Sequence, residues 1–469
     1  MFVASDRRAS FSSAKASAYA AASFAAILLA GCGNTYRPVV AGSGPTGPAG
    51  QPTKYAVVLS NTGASASGLA TFVDFSGDEV ITSPSVQTAP NYLALNSGGS
   101  QAYVINAAGS LDTFASSSPN TLLTSDVQQV TLPSTTLPTN VSVMTIKNAS
   151  ASVFVPETGA SKVAALNSSG QLLQEITTPA LPQYVVGVDA ATRLYILNAN
   201  GTASGVEASS TAGLTTTATL TVGANPVYGV MTSDGYRAFV LNKGSQSISV
   251  INVTNNALDS TTPTISIPTV NDSNGNNIAS NPVWADINPY TNELVVLSQG
   301  DGTHGGMVSI YNIPLCSAAA QSGNSTCNTS NPTDAANFGT LIATVPVGVN
   351  PTQVQVLRDT LSPRAYVTNS GNSSTNGSVS VVNLTSGTVT ATIPVAADPT
   401  IGDTTALGQP YIYGVHPSTL AVTTGTPTGK VYITSTDSKY LTILYTETDV
   451  VTYHAPLYGT GVRVVITSP

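Results

Sequence analysis

A five-residue phrase recurs along this chain at a spacing that few folds can accommodate. It is clearest at Ala365-Tyr-Val-Thr-Asn369, with variants at Ala102-Tyr-Val-Ile-Asn106, Leu194-Tyr-Ile-Leu-Asn198, Ala238-Phe-Val-Leu-Asn242 and Val431-Tyr-Ile-Thr-Ser435. Around the clearest copy, Pro351-Thr-Gln-Val-Gln-Val356 comes before it, and Ser378-Val-Ser-Val-Val-Asn383 and Thr390-Ala-Thr-Ile-Pro394 come after. Runs this short, rich in β-branched and aromatic residues and bounded by Gly, Asn, Ser and Asp, read as strands. A proline suits the first residue of a strand, where no ladder N–H is needed and φ is already fixed. Four strands in about 45 residues is the period of a β-propeller blade. A β-sandwich array gives no reason for so steady a period, and β-helix repeats are much shorter.

The fold class is therefore all-β: a single propeller of four-stranded antiparallel blades, eight by this count, with seven as the alternative. The proline-led strands are expected to start at Pro90, Pro138, Pro182, Pro226, Pro282, Pro351 and Pro410, with Pro456 leading into Val462-Arg-Val-Val-Ile466. The body of the chain opens at residue 55 on a second strand with no inner strand before it, while the C-terminus carries a spare one. Pairing the last strand into the first blade closes the ring and hides two open edges. The blades resemble those of the YVTN-type propellers, best at Ile342-Ala-Thr-Val-Pro-Val-Gly348 through Asn383 and next at Val222 through Asn252 with its Ser233-Asp-Gly235 turn. That resemblance implies a scaffold and not an activity, since one fold hosts many functions.

Residues 1–31 read as an export signal. Arg7, Arg8 and Lys15 precede a short apolar run at residues 20–30, too short for the about 20 residues of a spanning helix. The run ends in Leu29-Ala30-Gly31-Cys32, which resembles the lipobox of bacterial lipoproteins. The resemblance implies cleavage before Cys32 and acylation of it, hence an anchor in the cell envelope, and Gly33 rather than Asp favours the outer membrane by analogy. Whether the periplasmic or the surface side is meant stays open. Residues 32–54, dense in Gly and Pro, form an extended tether, and residues 55–469 form the propeller. Charged residues are 8% of the chain and the net charge is −8, which argues against a nucleic-acid partner.

Candidate sites lie where the repeat is broken. Two residues after the proline, the inner strands carry Tyr92, Tyr184, Tyr228, Trp284 and Tyr458. Rings at the channel mouth can stack on a sugar, peptide or other planar ligand, or can simply pack between blades. Long loops cluster in blades 6 to 8 on one face. One of them holds Asp301 and His304, a carboxylate and an imidazole able to join a metal or proton-transfer site. Another, Asp272-Ser-Asn274-Gly-Asn276, alternates oxygen ligands as calcium loops do, although Val283 stands where a bidentate Glu is needed; a polar turn is the alternative. Cys316 and Cys327 flank a Ser/Asn-rich insertion and, with Cys32 acylated, form an even pair suited to a disulfide.

No nucleophile elbow, phosphate loop or His/Cys cluster is present. Three functional readings follow. The chain is a non-catalytic scaffold binding a protein, peptide or carbohydrate, with no cofactor beyond a divalent ion such as Ca²⁺. Alternatively it is a lactonase-like hydrolase with a metal at the channel, or a structural surface protein. A hydrolase requires at least two of Asp272, Asp286, Glu293, Asp301 and His304 to converge near the axis.

Overall fold

The computed structural model describes residues 54–468 except 108, 134–137, 210–212, 272–274, 276, 279, 315–336, 396–415 and 426–427. These residues form eight antiparallel blades in a ring. Blade 7 is representative: Pro351–Leu357, Arg364–Asn369, Ser378–Asn383 and Thr388–Pro394 lie side by side in that order, from the axis outwards. Blade 1 takes its inner strand, Thr460–Ile466, from the C-terminus and pairs it antiparallel with Tyr55–Asn61, as the spare strand predicts. In blades 1 and 5 the outer strand is split into two short pieces.

The repeated phrase is the second strand, and its chemistry explains its residues. Second and third strands such as Arg237–Asn242 and Ser247–Asn252 are buried along their whole length, whereas the outer strand Thr388–Pro394 alternates between exposed and shielded. A strand covered on both faces reads as a continuous apolar run. The apolar residues fill eight clusters, one at each interface between neighbouring blades, including the seam between blades 8 and 1. At about 1.5–3 kcal/mol for each large aliphatic side chain fully buried, these layers are the main force holding the ring. The terminal Asn of the phrase clips the second strand to the third. Asn369 Nδ2 donates to Ser378 Oγ and Ser380 Oγ at 3.0 and 2.9 Å, and Asn242 Nδ2 reaches Ser247 Oγ and Ser249 Oγ in the same way.

Each inner strand is the free edge of its sheet, and in six of the eight blades a side chain of the preceding blade bonds to it or to the residues leading into it. Going round the ring, Arg463 Nε donates to Leu93 O, Asn91 Nδ2 to Pro138 O, and Asn140 Nδ2 to Gln183 O. Asp286 Oδ2 accepts from Val356 N–H, Gln353 Oε1 from Leu420 N–H, and Thr419 Oγ1 from Val464 N–H. The backbone groups an edge leaves open are thereby paired, as burial requires.

Two sequence expectations are corrected. The described inner strand of blade 8 is Pro417–Thr423, fixed by the pairing of Pro417 with Ser435, and not a strand opening at Pro410. Residues 410–415, expected to form that strand, lie outside the described residues. Pro456 ends the outer strand Val450–Pro456 and does not open the inner one, which starts at Thr460.

Candidate ligand site in the central channel

Seven of the eight inner strands skip a residue near their start. In blade 5, Pro226 pairs with Asn242 and Tyr228 with the next residue back, Leu241, so Val227 bulges out. The same break occurs after Pro90, Pro182, Pro282, Pro351 and Pro417 and, in blade 1, between Gly461 and Arg463. A bulge bends the strand and re-aims the following side chain, and here that side chain is the one two positions after the proline. The register gives the members of this layer: Arg463, Tyr92, Tyr184, Tyr228, Trp284, Gln353 and Thr419.

Several of these side chains stack on one another. Tyr184 and Tyr228 have centroids 4.7 Å apart, and Tyr228 lies on Trp284 at 4.3 Å with 20° between planes. The Arg463 guanidinium continues the stack, with Cζ 5.3 Å from the Trp284 centroid and 4.0 Å from that of Tyr92. Side chains from blades 1, 2, 4, 5 and 6 thus form a plug, with Tyr228 in contact with both Tyr184 and Trp284. Burial pushes the Tyr184 and Tyr228 phenols above their ordinary range, so both stay neutral.

Below the plug, towards the ends of the inner strands, a cavity of about 460 Å³ opens. Its wall includes Trp284, Asp286, Gln353, Gln355, Arg358 and Arg463. A second, smaller hollow of about 260 Å³ lies beside blade 3, near Ser142 and Met144. Asp286 is capped by two backbone donors, Ile287 N–H to Oδ1 and Val356 N–H to Oδ2, both at 2.8 Å. Burial nonetheless raises its pKa, against the opposing pull of the Val356 N–H and of the nearby Arg358 charge.

The structure separates the residues that the sequence grouped. Tyr92, Tyr184, Tyr228 and Trp284 meet in the channel. Tyr458 does not: it is 69% exposed in the turn before the blade 1 inner strand, and the position expected for it belongs to Arg463. Asp301 and His304 pair with each other on the opposite face, where the inner strands begin, with His304 Nδ1 2.7 Å from Asp301 Oδ2. Asp301 Oδ1 also accepts the His304 and Thr303 N–H groups. The His304 backbone N–H, its imidazole and the Thr303 N–H hold the Asp301 carboxyl well below the usual carboxylate range. Asn350 and Asn372 both donate to Gly302 O, tying this loop to blade 7. Among the described residues no three His, Cys, Asp or Glu side chains gather where a metal could sit. Cys32, Asp272, Asn274, Asn276, Cys316 and Cys327 lie outside the described residues. Sequence reasoning missed Arg463, Gln353, Gln355 and Arg358 as channel residues. The signal for Arg463 was available in the register, since counting back along the second-strand partner from Ser60 places it in the aromatic layer.

No family model matches the chain, and no curated protein matches it either. Solved structures do. The chain is similar to dihydro-heme d1 dehydrogenase NirN in complex with DHE at 11% identity and a TM-score of 0.56, over 89% of this chain and 76% of that one. It is also similar to apo AztD from Citrobacter koseri at 10% identity and a TM-score of 0.52, over 88% and 97% of the two chains. A putative 6-phosphogluconolactonase from Bacteroides fragilis aligns at 14% identity over 72% of this chain and 93% of that one, with a TM-score of 0.47 that carries no argument. At such low identity the first two likenesses establish a shared fold alone, and the eight blades are counted from the strand pairing of this chain.

Proposed function

We propose that the chain is a lipid-anchored, non-catalytic binding propeller of the cell envelope, whose ligand enters the central channel on the face where the inner strands end. One observation carries the binding role: the 460 Å³ cavity, of a size that suits a small ligand, is open at its rim and walled by polar side chains around an aromatic floor. A hydrolytic role needs convergence that the described residues do not supply. Of Asp286, Glu293, Asp301 and His304, Asp286 alone lines the cavity. Glu293 is turned to Thr291 and Asn288 at the foot of its strand, and the Asp301–His304 pair sits at the other face. The envelope location rests on the lipobox-like Leu29-Ala30-Gly31-Cys32, and the acidic, lysine-poor surface fits a partner other than nucleic acid.

The chain's single tryptophan is Trp284, on the cavity wall, so ligand entry has a built-in reporter. Titrating the purified protein with envelope-derived oligosaccharides and peptides while following tryptophan emission and Tm should give a saturable change with at least one of them. Turnover of a δ-lactone, abolished by Asp286→Asn, would replace the binding role with a hydrolytic one.

A further inference from the structure

Taking the channel cavity as the binding site just proposed, we infer that its ligand is a small monocarboxylate, gripped through the terminal nitrogens of Arg463 beneath the aromatic plug. The first ground is Arg463 itself. Its guanidinium carbon lies 4.0 Å from the centroid of the Tyr92 ring and 5.3 Å from that of Trp284, and its Nε is spent on Leu93 O at 2.9 Å. Among the described residues no carboxylate lies within ion-pair distance of it, and its two Nη groups have no protein acceptor. Arg463 is half-buried, so these two groups remain accessible from the cavity as charged donors. Its planar fork is the shape that matches a carboxylate through two parallel bonds.

The second ground is independent of Arg463. Around the same cavity the Asp286, Gln353 and Gln355 oxygens each take a backbone N–H, while the glutamine amides keep their donors. Both Asp286 oxygens take backbone N–H groups. Gln353 and Gln355 give their Oε1 atoms to Leu420 N–H and Val422 N–H, at 3.1 and 2.8 Å. Those bonds fix which end of each amide is oxygen, so both Nε2 groups line the cavity as donors with no partner among the described residues. Arg358 stands exposed at the rim, likewise without an ion pair among them. A wall with more free donor groups than free acceptors favours an anion. Two guanidinium groups against the single Asp286 carboxylate leave one positive charge, which suits a monocarboxylate better than a phosphate dianion. The apolar body of such a ligand would lie against Trp284, Val230 and Val465.

The test uses matched pairs of probes on the whole chain: glucuronate against glucose, and benzoate against benzamide, each followed by Trp284 emission and calorimetry. The expected result is saturable binding of a carboxylate at millimolar concentration or below, no response to its neutral counterpart, and weakening as salt rises. The pair that responds tells a sugar acid from a planar acid. Arg463→Gln should lower affinity by about tenfold or more and Arg463→Lys by less, because a point charge replaces the fork. Should the Arg463 variants not fold, Arg358→Gln at the rim should still weaken binding measurably, and the salt dependence of the unaltered protein needs no variant. Equal binding of a carboxylate and its neutral counterpart, or affinity indifferent to salt, overturns the anion assignment and leaves the channel as a binding site. Silence from every probe, charged and neutral, overturns the channel reading as well.

Discussion

Replacing Lys430 by Met should open the seam at which the ring closes. Lys430, on the second strand of blade 8, reaches the turn of blade 1, where Nζ donates to both Asp78 oxygens at 2.7 Å and to Phe75 O at 2.6 Å. It also lies over the rings of Phe75 and Tyr445, at 5.0 and 5.2 Å from their centroids. The two side chains are 5% and 6% exposed. Methionine keeps most of the stem packing but leaves the Asp78 charge and the Phe75 carbonyl without their partner. For a buried pair broken on one side the expected loss is about 3–5 kcal/mol. The loss carries a pH signature. Burial already raises the Asp78 pKa while the Lys430 hydrogen bond and charge pull it down. Without Lys430 it rises further. A carboxyl whose folded pKa exceeds its unfolded value holds more protons in the folded state between the two, so stability falls as pH rises through that window. The deficit of Lys430→Met should therefore be largest at pH 8 and shrink towards pH 5. Urea melts read by Trp284 emission and far-UV circular dichroism measure it, the two probes together testing whether unfolding is all-or-none. Adding Asp78→Asn to Lys430→Met should return more than half of the loss, because the orphaned charge is then gone. Loss under about 1 kcal/mol, the size expected of an exposed pair, or a loss indifferent to pH, would refute the reasoning.

Two further outcomes are expected. Asn369→Ala removes the clip to Ser378 and Ser380 and should cost about 1–3 kcal/mol in a urea melt. Asn369→Ser should not restore the clip, since Ser60, Ser298 and Ser435 at the matching position of blades 1, 6 and 8 leave their hydroxyls without a partner among the described residues. On the proposed anchoring, Cys32→Ser should move the protein from the membrane pellet to the soluble fraction and abolish incorporation of labelled palmitate; persistence in the pellet after a carbonate wash would count against it.

The scaffold was readable in the sequence because each of its parts has a local cause. Burial on both faces makes the second strand a continuous apolar run, Asn ends it, and proline starts the next inner strand. The misplaced strands had no such local marker. Pro410-Tyr-Ile-Tyr-Gly-Val415 is as proline-led and aromatic as Pro226-Val-Tyr-Gly-Val230, and nothing within it reveals that Lys430–Ser435 pairs with Pro417–Thr423 instead. Pro456-Leu-Tyr458 imitates the aromatic position in the same way, while Gly461 stands where the proline is expected and Arg463 where the ring is. In both cases register decides, and register is a property of the partner strand.

Register also explains where the cavities lie. The bulge brings one side chain towards the axis in seven of the inner strands, and the layer would fill evenly if each blade supplied an aromatic ring. Blades 4, 5 and 6 supply Tyr184, Tyr228 and Trp284, which close on one another, and blade 2 supplies Tyr92, which meets Arg463. Blade 3 supplies Asn140, which turns aside to Gln183 O, and the smaller hollow lies beside it. Blades 7 and 8 supply Gln353 and Thr419, both committed to the backbone of the next blade, and the larger cavity lies beneath them. Blade 1 meets that gap with Arg463, long enough to reach Trp284 on blade 6 across the space that Gln353 and Thr419 leave. An apolar residue at 463 would only enlarge the plug. A guanidinium there lies against the Tyr92 and Trp284 rings and lines both hollows that the ringless blades leave, so the departures that open the channel also give it a charge.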